Sequence, residues 1–201
     1  MTIHYYQHNA QTFFDGTVNV DMSSLYETFT RQLAPDAQVL DAGCGSGRDA
    51  KAFHERGYQV DAFDASSAMV ALAQRHTGLP VRQMSFADID VQERYDGIWC
   101  CASLLHVPAA GLPEVMQKLA HALKPGGIWY VSFKYGDGER EKDGRRFTDM
   151  NESSFAALLK NISAIEVVEQ WLTLDKRPDR DETWLNAVLR RTRNPRPYKL
   201  P

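Results

Sequence analysis

Three glycines stand within five residues, at Gly43, Gly45 and Gly47, shortly after an apolar run that ends at Asp41. Helical spacing of apolar residues follows the turn. A bare backbone between a strand and a helix lets a ligand approach closely, and the helix N-terminus offers it free N–H groups. The spacing G-x-G-x-G differs from the dinucleotide fingerprint G-x-G-x-x-G, and no Lys-Ser/Thr pair of a phosphate-binding loop follows. The turn therefore predicts a nucleotide-type ligand cradle.

Acidic residues end this strand and follow the next two predicted strands. The Asp41 carboxylate would repel a pyrophosphate and favours a ligand with an ammonium group. Alternatively, it accepts hydrogen bonds from the backbone N–H groups of the glycine turn. Asp64 follows about twenty residues later, where a carboxylate takes ribose hydroxyls in Rossmann-like sheets. Asp88, with Asp90 as an alternative, is placed to accept from an exocyclic amine. Together these carboxylates predict a ligand with an ammonium and a sulfonium group, a ribose and an adenine.

The elements that carry these residues alternate along the chain. Strand and helix patterns follow one another up to a fifth strand, which indicates a parallel sheet covered by helices on both faces. Two strand-like runs, AIEVVEQWLTL and TWLNAVLRR, then have no helix between them and predict a terminal hairpin. Residues 136–147 are interpreted as a long polar loop. We expect a single domain, with N-terminal helices or a lid over 1–34, a core sheet over 35–190 and an exposed tail over 191–201.

The composition limits the class of protein. The chain has 201 residues, of which 43% are hydrophobic and 24% charged, as is typical of a single globular domain. Its net charge of −3 argues against a general polyanion binder. The three cysteines form no zinc-like cluster, so no metal is expected and a reducing compartment fits. No signal core or membrane-spanning run is found, which favours a cytoplasmic protein without a membrane partner.

These landmarks resemble the class I S-adenosylmethionine-dependent methyltransferases. VLDAGCGSG matches the first motif of that family, DAFDAS its second acidic strand end, and FADID its adenine-contact motif. YDGIWCCASLLHV and LKPGG match the fourth strand and the turn before the fifth. The resemblance implies a Rossmann-like, doubly wound sheet of seven strands, mostly parallel with an antiparallel C-terminal hairpin strand.

Within the family, the chain is similar to the small-molecule branch of methyltransferase-11/25 or tellurite-resistance-like type. The short length and the stretch GRRFTDMNESSFAALL carry that likeness. The fourth strand is not followed by the Asn/Asp-Pro-Pro-Tyr/Phe tetrapeptide with which amino-methylating DNA enzymes hold a flipped base. The resemblance therefore implies a small-molecule acceptor.

The resemblance implies S-adenosyl-L-methionine as methyl donor and S-adenosyl-L-homocysteine as product. The residues it assigns to the donor are Asp41, Gly43, Gly45, Gly47, Asp64, Ala65, Met69, Ala87, Asp88 and Cys101. Met69 is equally well explained as a helix-core residue, and Cys101 would act through its backbone carbonyl.

Candidate catalytic residues lie in two distant parts of the chain. His106 follows the fourth strand, where acceptors lie in this family, and is either a general base or a structural histidine. Tyr6 stands in an N-terminal segment that either folds over the donor as a lid or simply packs. Tyr5, Lys134, Arg145 and Arg146 would bind an anionic acceptor through charge-assisted contacts, with a solvated charge run as the alternative.

The function implied is methyl transfer to a small molecule by in-line displacement, in a monomer or homodimer. Three alternatives remain at this point. An NAD(P) oxidoreductase is disfavoured by the glycine spacing and the hairpin, and a non-catalytic donor-binding module is the second. An RNA methyltransferase is the third, although nucleic acid is not the expected partner; it would use the basic tail residues Arg190, Arg191, Arg193 and Arg196.

Overall fold

The computed structural model describes residues 1–193. The strands are β1 (Gln38–Ala42), β2 (Gln59–Asp64), β3 (Arg82–Gln83), β4 (Tyr95–Cys100), β5 (Leu123–Lys134), β6 (Gly138–Lys142), β7 (Arg145–Asp149), β8 (Ile165–Leu174) and β9 (Thr183–Arg191). The helices are α1 (Thr2–His8), α2 (Ala10–Thr17), α3 (Ser23–Thr30), α4 (Arg48–Glu55), α5 (Ser67–Thr77), α6 (Leu112–Ala122) and α7 (Glu152–Leu159).

Seven strands form one sheet in the order β3-β2-β1-β4-β5-β9-β8. Strand β9 runs antiparallel to both neighbours, and the other pairs are parallel. The predicted fold class is confirmed. Because the chain builds outward from β1 and then returns to its other side with β4, the carboxyl ends of these two strands flank a crevice. Ligands bind at such a switch point in doubly wound sheets.

Both faces of the central strands are buried, which explains their continuous apolar runs. Ile98 and Trp129 pack into the cluster that includes α6 and α7. Their chain neighbours Trp99 and Tyr130 point to the opposite face, where α3 and α4 cover them. The rings of Trp99 and Tyr130 stack at 4.0 Å. This rigid two-sided core fixes the strand ends that carry the polar residues.

The prediction of a polar loop over 136–147 is wrong, because this segment forms the β6–β7 hairpin, a separate two-stranded sheet. Asp143 and Gly144 occupy its turn with φ of 52° and 72°. An Asp-Gly pair with two positive φ angles is a favoured two-residue hairpin turn, so the signal was present in the sequence. Phe147 in β7 is buried and anchors the hairpin over the sheet edge.

The two ends of the described chain differ in structure. Three helices, α1 to α3, occupy the N-terminal segment. Strand β9 extends to Arg191, where the tail was expected to begin, and Arg191 pairs with Glu93. The remaining tail, with Arg196, lies outside the described residues. Within residues 1–193 no helix is long and apolar enough to cross a membrane, and no group of acidic, histidine or cysteine side chains is arranged to hold a metal.

Candidate active site

A cavity of about 700 Å³ opens at the carboxyl edge of the sheet, with α1 and α2 along its wall. Many predicted site residues line it: Tyr5, Tyr6, Gly43, Gly45, Asp64, Ala65, Ala87, Cys101, His106, Lys134 and Arg145. Five predicted residues do not: Asp41, Gly47, Met69, Asp88 and Arg146. The cavity therefore joins residues from the glycine turn, the N-terminal helix and the β6–β7 hairpin.

The glycine turn has left-handed backbone conformations at Gly43, Gly45 and Gly47, with φ of 75°, 52° and 79°. Glycine adopts these angles without steric cost. A Cβ on Gly43 would lie 2.6 Å from the Cβ of Ser103, beside the cavity. A Cβ on Gly47 would instead lie 2.7 Å from Cγ2 of Thr77 on α5. Gly47 thus serves helix packing rather than ligand approach, which corrects its predicted role.

The crowding at Gly43 gives a testable stability difference. Gly43→Ala should lower the free energy of unfolding by about 2–4 kcal/mol, because it combines a positive φ with a steric clash. Gly57→Ala is the matched control, since Gly57 has φ of 92° but nothing within 4 Å of its added Cβ. It should cost only about 1–2 kcal/mol. Urea unfolding measures both, and equal losses would contradict the account of the turn.

Asp64 ties the end of β2 to the glycine turn. Its Oδ2 accepts from the backbone N–H of Gly45 and its Oδ1 from that of Ser66, each at 3.0 Å. A carboxylate offers about four acceptor positions, so lone pairs remain for a ligand in the cavity. Burial raises the pKa of Asp64, while the backbone N–H donors oppose that rise. Asp64 is therefore a fixed acceptor on the cavity wall.

Asp41 lies beneath the turn rather than in the cavity wall. Its side chain is buried, and its Oδ2 has no hydrogen-bond partner among the described residues. Burial and the nearby charge of Asp49 raise the pKa of Asp41 well above its usual range. The predicted direct contact with a ligand ammonium group is not supported by this position.

Asp49 lines the cavity but was not among the predicted site residues. Its carboxylate accepts from Tyr26 Oη at 2.5 Å, Trp99 Nε1 at 2.8 Å and Arg48 Nε at 2.7 Å. Although burial opposes it, these donors and the Arg48 charge hold the pKa of Asp49 below its usual range. Arg48 and Asp49 both line the cavity. In the sequence, Asp49 is an acidic residue next to the apolar Ala50 and Phe53 of the same helix. This placement was the only signal that its side chain would be buried.

Two other predicted donor contacts are misplaced. Asp88 is exposed, and its Oδ2 accepts from the backbone N–H and the hydroxyl of Ser85 at 2.7 and 2.8 Å. It caps a one-turn helix, and the cavity wall is formed instead by residues 84–87. Met69 is fully buried against Ala10 and Leu72, so its helix-core interpretation holds. Both corrections have the same physical reason: these side chains are satisfied by their own local surroundings.

Tyr6 and His106 form a hydrogen-bonded pair, although they lie 100 positions apart in the chain. Tyr6 Oη is 2.8 Å from His106 Nε2, and His106 Nδ1 is 2.8 Å from the carbonyl oxygen of Arg146. A carbonyl can only accept, so Nδ1 carries the proton and Nε2 accepts from the Tyr6 hydroxyl. Burial lowers the pKa of His106 to about 4. The pair therefore presents a neutral imidazole with its basic nitrogen toward the tyrosine.

The opposite end of the cavity is rich in charge. Lys134 Nζ pairs with Glu182 at 2.7 Å, and the Arg145 guanidinium lies 4.3 Å from the centre of the Tyr5 ring. Arg146 turns away, with its side chain 43% exposed and 3.7 Å from Glu139. Arg146 contributes its backbone carbonyl to His106 rather than a cation to the cavity, which corrects its predicted role.

Cys101 also lines the cavity, and burial raises the pKa of its thiol to about 12. The thiol therefore stays protonated at neutral pH.

Comparison with known proteins shows a likeness to methyltransferases. A family model described as a methyltransferase domain matches residues 39–127, which include the glycine turn, Asp64 and β4. The ubiquinone biosynthesis O-methyltransferase of Xanthomonas campestris pv. campestris (strain B100) is 32% identical over 109 residues, covering 51% of this chain and 45% of that protein. Over these residues the chain is similar to a methyltransferase domain. It spans about half the length of the curated relatives it matches.

Solved methyltransferases share the fold over nearly the whole described chain. The 1,6-didemethyltoxoflavin-N1-methyltransferase of Burkholderia thailandensis, solved with 1,6-didemethyltoxoflavin and S-adenosylhomocysteine, gives a TM-score of 0.76 at 24% identity, covering 94% of this chain and 85% of that one. The N-methyltransferase NodS of Bradyrhizobium japonicum WM9, solved with S-adenosylhomocysteine, gives 0.71 at 14% identity, covering 92% and 97%. At identities of 24% and 14%, these structural likenesses show a shared fold and nothing about the acceptor.

The residues present fit S-adenosylmethionine. Gly43 and Gly45 expose bare backbone to the cavity, and a Cβ on Gly43 would lie only 2.6 Å from the Cβ of Ser103. Asp64 offers free acceptor positions at the end of β2, where a ribose diol binds in such sheets. The adjoining wall at Ala65 and Ala87 is apolar, as a purine face requires.

Proposed function

We propose that this chain transfers a methyl group from S-adenosylmethionine to a small molecule held between the glycine turn and the β6–β7 hairpin. The observation that carries the proposal is the Tyr6–His106 pair, which lines the same cavity as Asp64 and the turn. Donor-binding and proton-accepting groups are thus present in one space. The wall contributed by α1 and α2 favours a small acceptor over a nucleic acid or another polymer.

We assign donor binding to Asp64, Gly43, Gly45, Ala65 and Ala87. Asp64 takes the ribose hydroxyls, and the bare turn admits the rest of the donor. The bound donor supplies an activated methyl group. The nearby carboxylates of Asp49 and Asp64 favour the positive charge of the donor. Asp49 is paired with the Arg48 cation, whereas Asp64 is bonded only to backbone N–H groups.

We assign proton transfer to His106 and positioning to Tyr6. The Nε2 atom of His106 has a single lone pair, which accepts from the Tyr6 hydroxyl until an acceptor hydroxyl takes the place of Tyr6 as the donor. At physiological pH this nitrogen is unprotonated, because burial lowers the pKa of His106 to about 4. Tyr6 orients the imidazole before the acceptor binds and closes the cavity from α1. Alignment of the acceptor with the methyl group supplies the remaining rate enhancement.

The accepting atom is proposed to be oxygen. A general base is useful for an acceptor that carries a proton to lose, such as a hydroxyl. The curated relatives that match half of the chain are named O-methyltransferases, which supports the same choice. The cytoplasmic location and the monomeric or homodimeric state stay predictions.

Methyl transfer is tested with radiolabelled S-adenosylmethionine and a panel of small hydroxylated acceptors. We expect label to pass to an organic acceptor and His106→Gln to abolish most of that transfer. Tight donor binding without transfer to any member of a broad panel would point to a donor-binding module instead. Transfer restricted to RNA would contradict the small-molecule assignment.

A further inference from the structure

The two ends of the cavity differ in charge. At the glycine turn the charged lining residues are Arg48, Asp49 and Asp64, with buried Asp41 beneath them. At the opposite end, six cationic side chains from β5, the β6–β7 hairpin and the β8–β9 connection stand against three acidic ones. Carboxylates attract a cationic donor, and an excess of cations attracts an anion. The second end is thus electrostatically suited to an acidic acceptor.

Most of these cations already have carboxylate partners. Glu182 is 2.7 Å from Lys134, 3.8 Å from Lys142 and 3.9 Å from Arg177. Asp175 pairs with Arg177 at 2.6 Å. This network holds the β8–β9 connection against β5 and engages Lys134, Lys142 and Arg177 with carboxylates of the chain itself. A cation with weaker compensation is better placed to bind a ligand.

Arg145 is compensated much more weakly. Its ion-pair partner in the described part of the chain is Asp143, 3.8 Å away with a side chain that is 60% exposed. The Arg145 side chain itself is only 15% exposed, and its buried Nε has no hydrogen-bond partner there. A buried N–H without a partner is unfavourable, so a ligand acceptor that reaches it would be bound favourably.

Arg145 is also held in place next to the proposed base. Its guanidinium lies 4.3 Å from the Tyr5 ring centre and 5.2 Å from that of Phe147. Two aromatic rings restrict the side chain and lower the entropy lost when it binds a ligand. The Tyr5 ring lies 5.3 Å from the Tyr6 ring, and the Phe147 ring lies 5.1 Å from the His106 ring, so the guanidinium that contacts Tyr5 and Phe147 is close to the pair. An anion on Arg145 would thus lie beside the Tyr6–His106 pair.

We propose that the methyl acceptor is a small carboxylic acid, whose carboxylate binds Arg145 and whose hydroxyl, on a neighbouring carbon, faces Tyr6 and His106. The inference rests on the proposed function. A carboxylate matches the fork of the Arg145 guanidinium. A phosphate monoester shares that geometry, and phenyl phosphate is the probe that distinguishes the two.

The transfer balances as follows. The hydroxyl oxygen forms a bond to the methyl carbon while the methyl–sulfur bond breaks, and that electron pair stays on sulfur. The acceptor hydroxyl displaces the Tyr6 hydroxyl from His106 Nε2, and its proton passes to that nitrogen. The products are a methyl ether of the acid, S-adenosylhomocysteine and a protonated imidazole that releases its proton to water. No oxidant, reductant or metal takes part in this balance.

The test compares acids with their neutral amides on the full chain saturated with S-adenosylhomocysteine. The probes are salicylate, 3-hydroxybenzoate and lactate, each paired with its amide, together with phenyl phosphate. Calorimetry measures their affinities for the unmodified chain, for Arg145→Gln and for Arg146→Gln. Arg146→Gln is the matched control, because it removes the neighbouring cation that lies outside the cavity.

We expect at least one acid to bind ten-fold or more tighter than its amide. Arg145→Gln should remove that difference, and Arg146→Gln should keep it. Equal affinities for every acid and amide, equal effects of the two variants, or Arg145-dependent preference for phenyl phosphate would overturn the carboxylate assignment. Failure of S-adenosylhomocysteine to bind at all would instead overturn the proposed function.

Discussion

Replacing His106 with glutamine should lower kcat by about 10²–10⁴-fold, the usual contribution of a positioned general base. The variant loses the basic Nε2 but keeps a side-chain N–H that can donate to the Arg146 carbonyl. The affinity for S-adenosylhomocysteine should stay unchanged, because the donor is assigned to the Asp64 end of the cavity. Steady-state kinetics and calorimetry measure the two quantities separately.

The matched variant for this prediction is Tyr6→Phe. It removes the hydroxyl that bonds to Nε2 but keeps the ring that packs against Phe13. Replacing a positioning residue should lower kcat less than replacing the base itself. We therefore expect the kcat of Tyr6→Phe to lie between that of the unmodified chain and that of His106→Gln. Turnover by His106→Gln at the unmodified rate would leave His106 only a structural role.

The pH profile provides an independent check on His106. Its pKa is lowered to about 4 by burial, so the base is neutral above that pH and becomes protonated below it. The acidic limb of the kcat/KM profile should therefore lie near pH 4, not near 6.5, and should be absent in His106→Gln. In the unfolded chain His106 has its ordinary pKa of 6.5, so it becomes protonated at a higher pH than in the folded chain. The His106 contribution to stability is thus present above about pH 6.5 and is lost between about 6.5 and 4.

Replacing Asp64 with alanine should weaken the binding of S-adenosylhomocysteine by about 1–3 kcal/mol, the size of a lost buried hydrogen-bond pair. The change also leaves the N–H groups of Gly45 and Ser66 without their acceptor, so the glycine turn loses its tie to β2. Calorimetry with the purified variants measures the affinity, and circular dichroism confirms that each variant is folded.

Two further variants make the Asp64 assignment specific. Asp64→Asn keeps one acceptor oxygen and should lose less affinity than Asp64→Ala. Asp88→Ala should leave donor affinity unchanged, because Asp88 is exposed and caps its own one-turn helix. If Asp88→Ala lost as much donor affinity as Asp64→Ala, Asp88 would contact the donor, as the motif match predicted and the structure does not show.

Local signals in the sequence predicted the parts of the site that local structure determines. Gly43, Gly45 and Asp64 line the cavity, and each follows directly from a strand end. The sheet class followed from the alternation of strands and helices. The same reasoning misplaced Asp88 and Met69, since a motif match does not show whether a side chain already has a partner nearby.

Contacts between distant segments could not be predicted in the same way. Asp49 gains its role from Tyr26 and Trp99, which approach it only after α3 and β4 pack on α4. Tyr6 and His106 were proposed as catalytic residues separately. Their hydrogen bond depends on how α1 crosses the sheet edge, and no spacing in the sequence encodes that crossing.

A crystal structure with S-adenosylhomocysteine tests the central claim most directly, that one cavity holds the donor next to the Tyr6–His106 pair. We expect the ribose hydroxyls on the Asp64 carboxylate, the chain of the ligand along Gly43 and Gly45, and the sulfur directed toward Tyr6 and His106. A ligand bound outside this cavity, or a sulfur directed away from both residues, would contradict the account.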